Sequence, residues 1–268
     1  MVFLSLDVER VFDMEVGIQV SSVAKYLTDE AGVFDAFNKF KQIGYRYGQI
    51  QWISPDVTPD SIRRALLETR INCVGTQDYY DEVMPKLDEN LKSNAMWGGK
   101  YICVSGIPER FKSPEGCKKL ADEMNEKRKI IEDAGMVLTF HPVYSDYAAF
   151  GGTTLLEILL EHAADTVQVC LDVFHVHKAG YDPVEWIFKL AGRVDLIHFK
   201  DYFTGNDGKE VLSSVGQGVL DWDGIIQACL ATSVKFCFAE QETSVKDPFE
   251  CLKESYEYIT GKLAKMER

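Results

Sequence analysis

At 268 residues, with 46% apolar and 26% charged side chains, the chain has the make-up of an ordinary globular protein and the length for one large α/β domain. A formal net charge of −13 argues against nucleic acid or an anionic membrane as the main partner, because both would be repelled over much of the surface. No apolar run approaches the roughly 20 residues of a membrane span, and the opening MVFLSLDVERVFDMEV has no basic stretch and is broken by Asp7, Glu9 and Arg10, so it does not read as a signal peptide.

In chain order, the apolar runs that read as strands are Val16–Val20, Tyr47–Trp52, Ile71–Gly75, Lys100–Ser105, Met136–His141, Val167–Asp172, Val194–Phe199 and Val234–Glu240. Amphipathic segments lie between them. Thr58-Pro59, Ser113-Pro114, Asp182-Pro183-Val184-Glu185 and Asp247-Pro248-Phe249-Glu250 each place a capping side chain before a proline suited to the first helical turn. Gly44, Gly98-Gly99 and Gly135 mark helix ends. Eight strand-then-helix units in about 250 residues predict a single (β/α)8 TIM barrel, with a doubly wound open sheet as the weaker alternative. No linker, repeat or low-complexity segment divides the chain, so residues 1–268 read as one domain with residues 1–14 as an N-terminal extension. The seven cysteines show no CxxC spacing, and Cys103, Cys170 and Cys237 sit inside apolar runs; they read as reduced core thiols of a cytoplasmic protein.

Four of the apolar runs end on or contain an ionisable residue: His141 in GMVLTFHP, Asp172 in VQVCLDVFH, His198 in VDLIHFKD and Glu240 in VKFCFAEQE. A carboxylate taken out of water costs several kcal/mol even after relaxation, so Asp172 and Glu240 in a shared interior need a compensating cation or proton. A divalent metal (Mn2+, Zn2+, Co2+ or Mg2+) supplies that charge, and histidine with carboxylate is a sensible ligand set for it. The plainer account of Asp172, His198 and Glu240 is a buried ion pair, and that of His141 a hydrogen bond within the turn before Pro142.

The segments GIQVSSV (17–23), LDVFHVHKAGYDP (171–183), GRVDLIHFKDY (192–202), VGQGVLDW (215–222) and FAEQET (238–243) together resemble the xylose isomerase-like superfamily. The similarity is to its sugar phosphate isomerase and epimerase branch, with inosose dehydratase-like and tagatose epimerase-like members. The resemblance implies metal ligands at Asp172, His198 and Glu240, and at His175 a histidine that contacts substrate hydroxyls. Where many relatives carry a glutamate at the end of the fifth strand, this chain has His141-Pro142-Val143-Tyr144-Ser145-Asp146, which makes His141 the ligand-like residue and Asp146 the alternative fourth ligand. On the second and third strands the family's glutamate and histidine are represented by Gln49 or Gln51 and by Gln77.

These residues predict a metal-dependent isomerase or epimerase of a sugar or polyol-like substrate, with proton abstraction next to a metal-bound oxygen. Glu240, His141, His175 and Lys200 are the catalytic candidates, and His175, Lys200, Gln77, Tyr144 and Glu242 the substrate contacts. Lys200 lies two residues after His198 and so on the same side of the strand, where it would reach a ligand oxygen or neutralise the acids; a surface ion pair with Asp201 is the alternative. Trp52, Tyr79, Tyr80, Tyr144, Tyr147, Phe150, Tyr202 and Phe203 fall in the loops of the expected mouth and could stack on a sugar ring or pack on one another. The pair Gly151-Gly152 would let one of these loops fold over as a lid. His177 reads as structural and His162 as a favourable charge at a helix C-terminus. A metal-dependent lyase or dehydratase is the alternative activity, and a non-catalytic metal- or sugar-binding accessory protein the alternative class, distinguished by whether acid/base groups other than ligands face a pocket. A homo-oligomer is compatible with this composition.

Overall fold

The computed structural model describes residues 14–244 and 246–266. The expected N-terminal extension lies outside the described residues except for Met14, which is buried in the main core. Eight parallel strands close into a barrel: β1 (Glu15–Gln19), β2 (Tyr47–Ile50), β3 (Asn72–Tyr79), β4 (Tyr101–Ser105), β5 (Val137–His141), β6 (Gln168–Asp172), β7 (Leu196–Phe199) and β8 (Phe236–Ala239). Between and after them run α1 (Glu30–Ile43), α2 (Pro59–Thr69), α3 (Leu87–Trp97), α4 (Pro114–Asp133), α5 (Leu155–His162), α6 (Pro183–Lys189), α7 (Trp222–Ala231) and α8 (Pro248–Met266). β1 pairs with β8 as well as with β2, which excludes the open doubly wound sheet.

The capping signals act where the sequence places them. Thr58 accepts from the Ser61 amide, Ser113 from Gly116 and Asp182 from Val184, and α1 ends on Gly44 at φ 127°. Strand bounds shift more. β3 was expected over Ile71–Gly75 but runs to Tyr79, because the register of β2 against β3 slips between Gly48 and Gln49 and the polar stretch Thr76–Tyr79 pairs with β4. Gly151 and Gly152, both at positive φ, make the turn of a two-residue antiparallel hairpin (Ala149–Phe150 with Thr153–Thr154). All seven cysteines are free and buried. Among the described residues no helix is long and apolar enough to cross a membrane.

Alternation along the strands divides the side chains into two sets. One set, including Ile102, Leu138, Phe140, Leu171, Ile197 and Phe199, joins the main core shared with the helices. The other points into the barrel and changes character along the axis: Val74, Tyr101, Cys103, Cys170, Leu196 and Phe238 form a separate apolar cluster. Two residues further along their strands stand Asp172, His198 and Glu240, which are buried and polar. The barrel interior is thus an apolar plug beneath a polar layer at the C-terminal ends of the strands.

The seam between the first and last strands is fastened above the barrel, where the Ser22 hydroxyl accepts from the Gln241 amide at 3.0 Å, a contact spanning 219 residues. The Tyr45 hydroxyl donates to the Leu252 carbonyl at 2.8 Å and ties α8 to the start of β2. A second knot forms after β7. The fully buried Asp201 carboxylate accepts from the Gly216 amide at 3.0 Å, the Gly218 amide at 2.9 Å and the Trp222 indole at 2.7 Å, drawing the segment Val215–Trp222 around itself. A Cβ at Gly218 would lie 2.1 Å from Asp201 Oδ1, which explains a glycine there. Replacing Asp201 leaves several buried donors unpaired, so Asp201→Ala is expected to lower the unfolding free energy by about 3 kcal/mol. Urea unfolding followed by circular dichroism measures it, and a loss under about 1 kcal/mol would contradict the role given to the knot.

Candidate metal centre

His141 and Asp172 are the last residues of β5 and β6, His198 lies within β7, and Glu240 follows the last residue of β8. Asp172 pairs directly with His198 in the register of β6 and β7, and His198 pairs with Phe238, which places Glu240 one inward position higher on the neighbouring strand. Four adjacent strands therefore deliver four side chains to one spot. One ligand-type atom from each of His141, Asp172, His198 and Glu240 lies within 4.8 Å of all the others, and all four residues are buried.

The hydrogen bonds around this group leave its facing atoms free. Gln49 Oε1 stands 2.7 Å from His198 Nε2 and also accepts from Gln19 Nε2 at 3.0 Å, so Nε2 of His198 carries the proton and Nδ1 faces the group. His198 Nδ1 and Glu240 Oε2 stand 2.7 Å apart, within ion-pair reach of each other, and neither has another hydrogen-bond partner. Asp172 Oδ1 accepts from the His175 amide at 3.1 Å, while Oδ2 has no partner and lies 3.8 Å from both His141 Nε2 and His175 Nε2. Both ring nitrogens of His141 are also unpartnered. Buried polar atoms are rarely left in this state, and here they share one small volume.

Lys200, only 3% exposed, is among the described residues the one ammonium in contact with these acids: its Nζ is 2.5 Å from Glu242 Oε1 and 3.9 Å from both Asp172 Oδ2 and Glu240 Oε1. The alternative of a surface ion pair with Asp201 is therefore overturned, since both residues are buried and Asp201 serves its own loop. Burial works to raise the pKa of Asp172, but His175, Lys200 and His141 outweigh it and hold this carboxyl well below the usual range. Glu240 is pulled down to about 2 by Lys200 and His198 against the same desolvation. Burial and the neighbouring Glu240 push Glu242 up to about 7 despite Lys200. Desolvation lowers His141 and takes His175 down to about 4, so both imidazoles are neutral near pH 7. For His198 burial acts downward while Cys170 and Glu240 act upward and prevail. In the absence of any other cation a second proton on His198 would satisfy Glu240, and a metal ion would satisfy Glu240, Asp172 and His141 together. Two imidazole nitrogens and two carboxylate oxygens form a donor set that could hold a divalent ion, and its charge would balance the two acids.

A small cavity of about 70 Å³ opens above this group. Gln51, Gln77, Ser105, His175 and Glu242 line it, with Trp52 and Tyr79 at its edge. The sequence left Gln49 or Gln51 open as the second-strand residue, and the structure uses both, Gln49 under His198 and Gln51 in the cavity. Tyr144 is half exposed and stacks against His175 at 6.1 Å between ring centres. Three of the expected mouth aromatics are packing residues instead: Tyr80 and Tyr147 are buried, and the Tyr202 hydroxyl is 2.8 Å from His177 Nδ1. Asp146 does not join the ligand group. It is fully buried and its carboxylate accepts from the backbone amides of Val143 at 3.0 Å and Ile107 at 3.2 Å, latching the loop after β5 to the loop after β4. Sequence reasoning missed Gln19 and Ser105, for which the period-two continuation of β1 and β4 was the available signal.

Among solved structures the fold is similar to that of a sugar phosphate isomerase/epimerase from Parabacteroides distasonis, with a TM-score of 0.77 and 20% identity over 92% of this chain and 98% of that one. It is also similar to an L-ribulose 3-epimerase (TM-score 0.73, 13% identity, 94% and 95% covered). A third similar structure is a probable 3-DHS dehydratase from Bacillus anthracis (TM-score 0.70, 14% identity, 92% and 99% covered). In sequence, an inosose dehydratase from Clostridium beijerinckii is 26% identical over 168 residues, 55% of either chain, so the match spans about half the length of that curated relative. A family model described as xylose isomerase-like TIM barrel matches residues 37–254, most of the described barrel, and the chain belongs to that family.

Proposed function

We propose that the protein is a divalent-metal-dependent enzyme that isomerises or epimerises a sugar or polyol-like substrate by moving a proton on the carbon beside a carbonyl. The observation that carries this reading is the convergence, within 4.8 Å beneath an open cavity, of buried ligand atoms from His141, Asp172, His198 and Glu240 that have no hydrogen-bond partner outside the group. Those four residues would hold the ion. A bound divalent cation polarises a substrate oxygen and acidifies the neighbouring C–H. The remaining work belongs to the chain's own groups. Glu240, Glu242 and the neutral imidazole of His175 are the proton acceptors within reach of the cavity, and Lys200 is hydrogen-bonded to Glu242 beside them. His175 and Glu242 are acid/base groups beyond the ligand set, which favours an enzyme over a non-catalytic binder.

A second reading, elimination of water from a polyhydroxylated ketone, draws support from one feature of this chain. Epimerisation by two bases needs a proton acceptor on each face of the carbon. With His141 in the place where the related families put a glutamate, Glu240 and Glu242 are both carried by the C-terminal end of β8, an arrangement suited to taking and returning protons from one side. The partial similarity to an inosose dehydratase fits the same reading.

Purified protein is expected to carry close to one equivalent of Mn2+ or Zn2+ after dialysis, and Asp172→Asn and Glu240→Gln to lose both the metal and turnover. Retention of stoichiometric metal by both variants, measured by plasma mass spectrometry, would contradict the assignment. Gln49→Leu removes the acceptor that orients His198 and is expected to weaken metal affinity by about 10- to 100-fold with little loss of folded protein. In deuterated water, deuterium incorporation without loss of water would identify isomerisation or epimerisation, whereas an unsaturated product would identify the dehydratase.

A further inference from the structure

Resting on that reading of the site, we infer that the substrate is an uncharged polyhydroxylated ketone, bearing neither phosphate nor carboxylate, and that Gln51 and Gln77 select it. Both amides line the cavity, 6% and 5% exposed, and the Oε1 atom of each is buried without a hydrogen-bond partner. The Oγ atom of Ser105, in the same wall, is also unpartnered. A buried acceptor left unpaired is costly, so the wall is complementary to a ligand that brings O–H donors to it.

The charge around the cavity points the same way. Among the described residues the lining contains no arginine and no lysine, and its only charged groups are Glu240 and Glu242. Lys200, just below, is committed to Glu242, Glu240 and Asp172, and Lys178, beside the Tyr144 ring, is paired with Glu210. Charge is thereby balanced without the ligand: a divalent ion offsets Asp172 and Glu240, and Lys200 offsets Glu242. A phosphate or carboxylate placed against this wall, away from the ion, would meet acceptor atoms and a carboxylate with no free cation to pair with, which is the arrangement that rejects an anion. Hydroxyl groups meet the opposite situation, because each can donate to Gln51, Gln77 or Glu242 while an amide NH2 or His175 donates in return.

The test uses the metal-loaded full-length protein, titrated calorimetrically with free ketohexoses and keto-inositols, with the 1- and 6-phosphates of the same ketoses, and with the matching keto-uronates. Neutral compounds are expected to bind at least 100-fold more tightly than their charged counterparts. Gln51→Leu and Gln77→Leu should each weaken neutral binding about tenfold, with metal content and thermal midpoint unchanged. Gln77→Glu, which keeps the acceptors, should restore most of the loss, and Gln77→Arg should narrow the preference against phosphate at least tenfold. The inference is overturned if the phosphorylated or carboxylated compounds bind as well as the neutral ones, if the metal-loaded protein binds none of the neutral ones, or if both leucine variants bind within twofold of the parent. Those results leave the metal-dependent reading standing, whereas a parent protein that takes up no metal removes that reading itself.

Discussion

Two carboxylates, Asp172 and Glu240, are sealed into one end of a barrel with, among the described residues, a single ammonium, Lys200, which a third carboxylate, Glu242, already engages. Each buried acid costs several kcal/mol unless it is paired, so this excess of negative charge is the constraint to which the neighbouring residues answer. Gln19 and Gln49 fix the proton of His198 on the far side of its ring, and desolvation keeps His141 and His175 neutral. The result is a cluster of lone pairs facing inward, of which the one on His198 takes a proton when no other cation is present. Such a cluster is unstable as a closed polar network and complementary to a cation.

The barrel makes this tolerable by separating tasks along its axis. Beneath the polar layer, Cys103, Cys170, Leu196 and Phe238 fill the lumen and give the site a dry floor, while the outward set packs against the helices. Residues at the strand ends inherit the rigidity of the sheet, which loops do not offer. Loops contribute less sharply defined parts: the hairpin turned by Gly151 and Gly152, the latch of Asp146 on two backbone amides, and the knot around Asp201. Each of these holds the rim in place without entering the ligand group.

Much of this was legible in the sequence because the relevant signal is energetic. An acid or imidazole that closes a run such as VQVCLD or VDLIH has no inexpensive structural reason to be there, and the four residues so marked are the four that converge. Period two also carries information in a negative way: Gln49 and Gln51 are both on the inward face of β2, so the choice between them was resolved as both. What remained hidden depends on contacts distant in sequence. Nothing local distinguishes Asp201, which collects donors from Gly216 to Trp222, from the solvated aspartate it resembles in the text. Asp146 looked like a spare ligand because spacing cannot show that Val143 and Ile107 engage its oxygens first. Tyr80, Tyr147 and Tyr202 share the composition of exposed mouth aromatics, and only packing separates them from Tyr79 and Tyr144.

The seam between β1 and β8, with its Ser22–Gln241 fastening, bears on how the molecule is made. During synthesis one edge of β1 stays open while seven further strands emerge, since its partner on that side is the last of the eight. Every incomplete chain therefore carries two unsatisfied strand edges, with their amides and carbonyls available to other nascent chains. Closure depends on contacts of the longest sequence separation in the fold, so ring completion is the slow, cooperative event, and aggregation during expression competes most directly with that event.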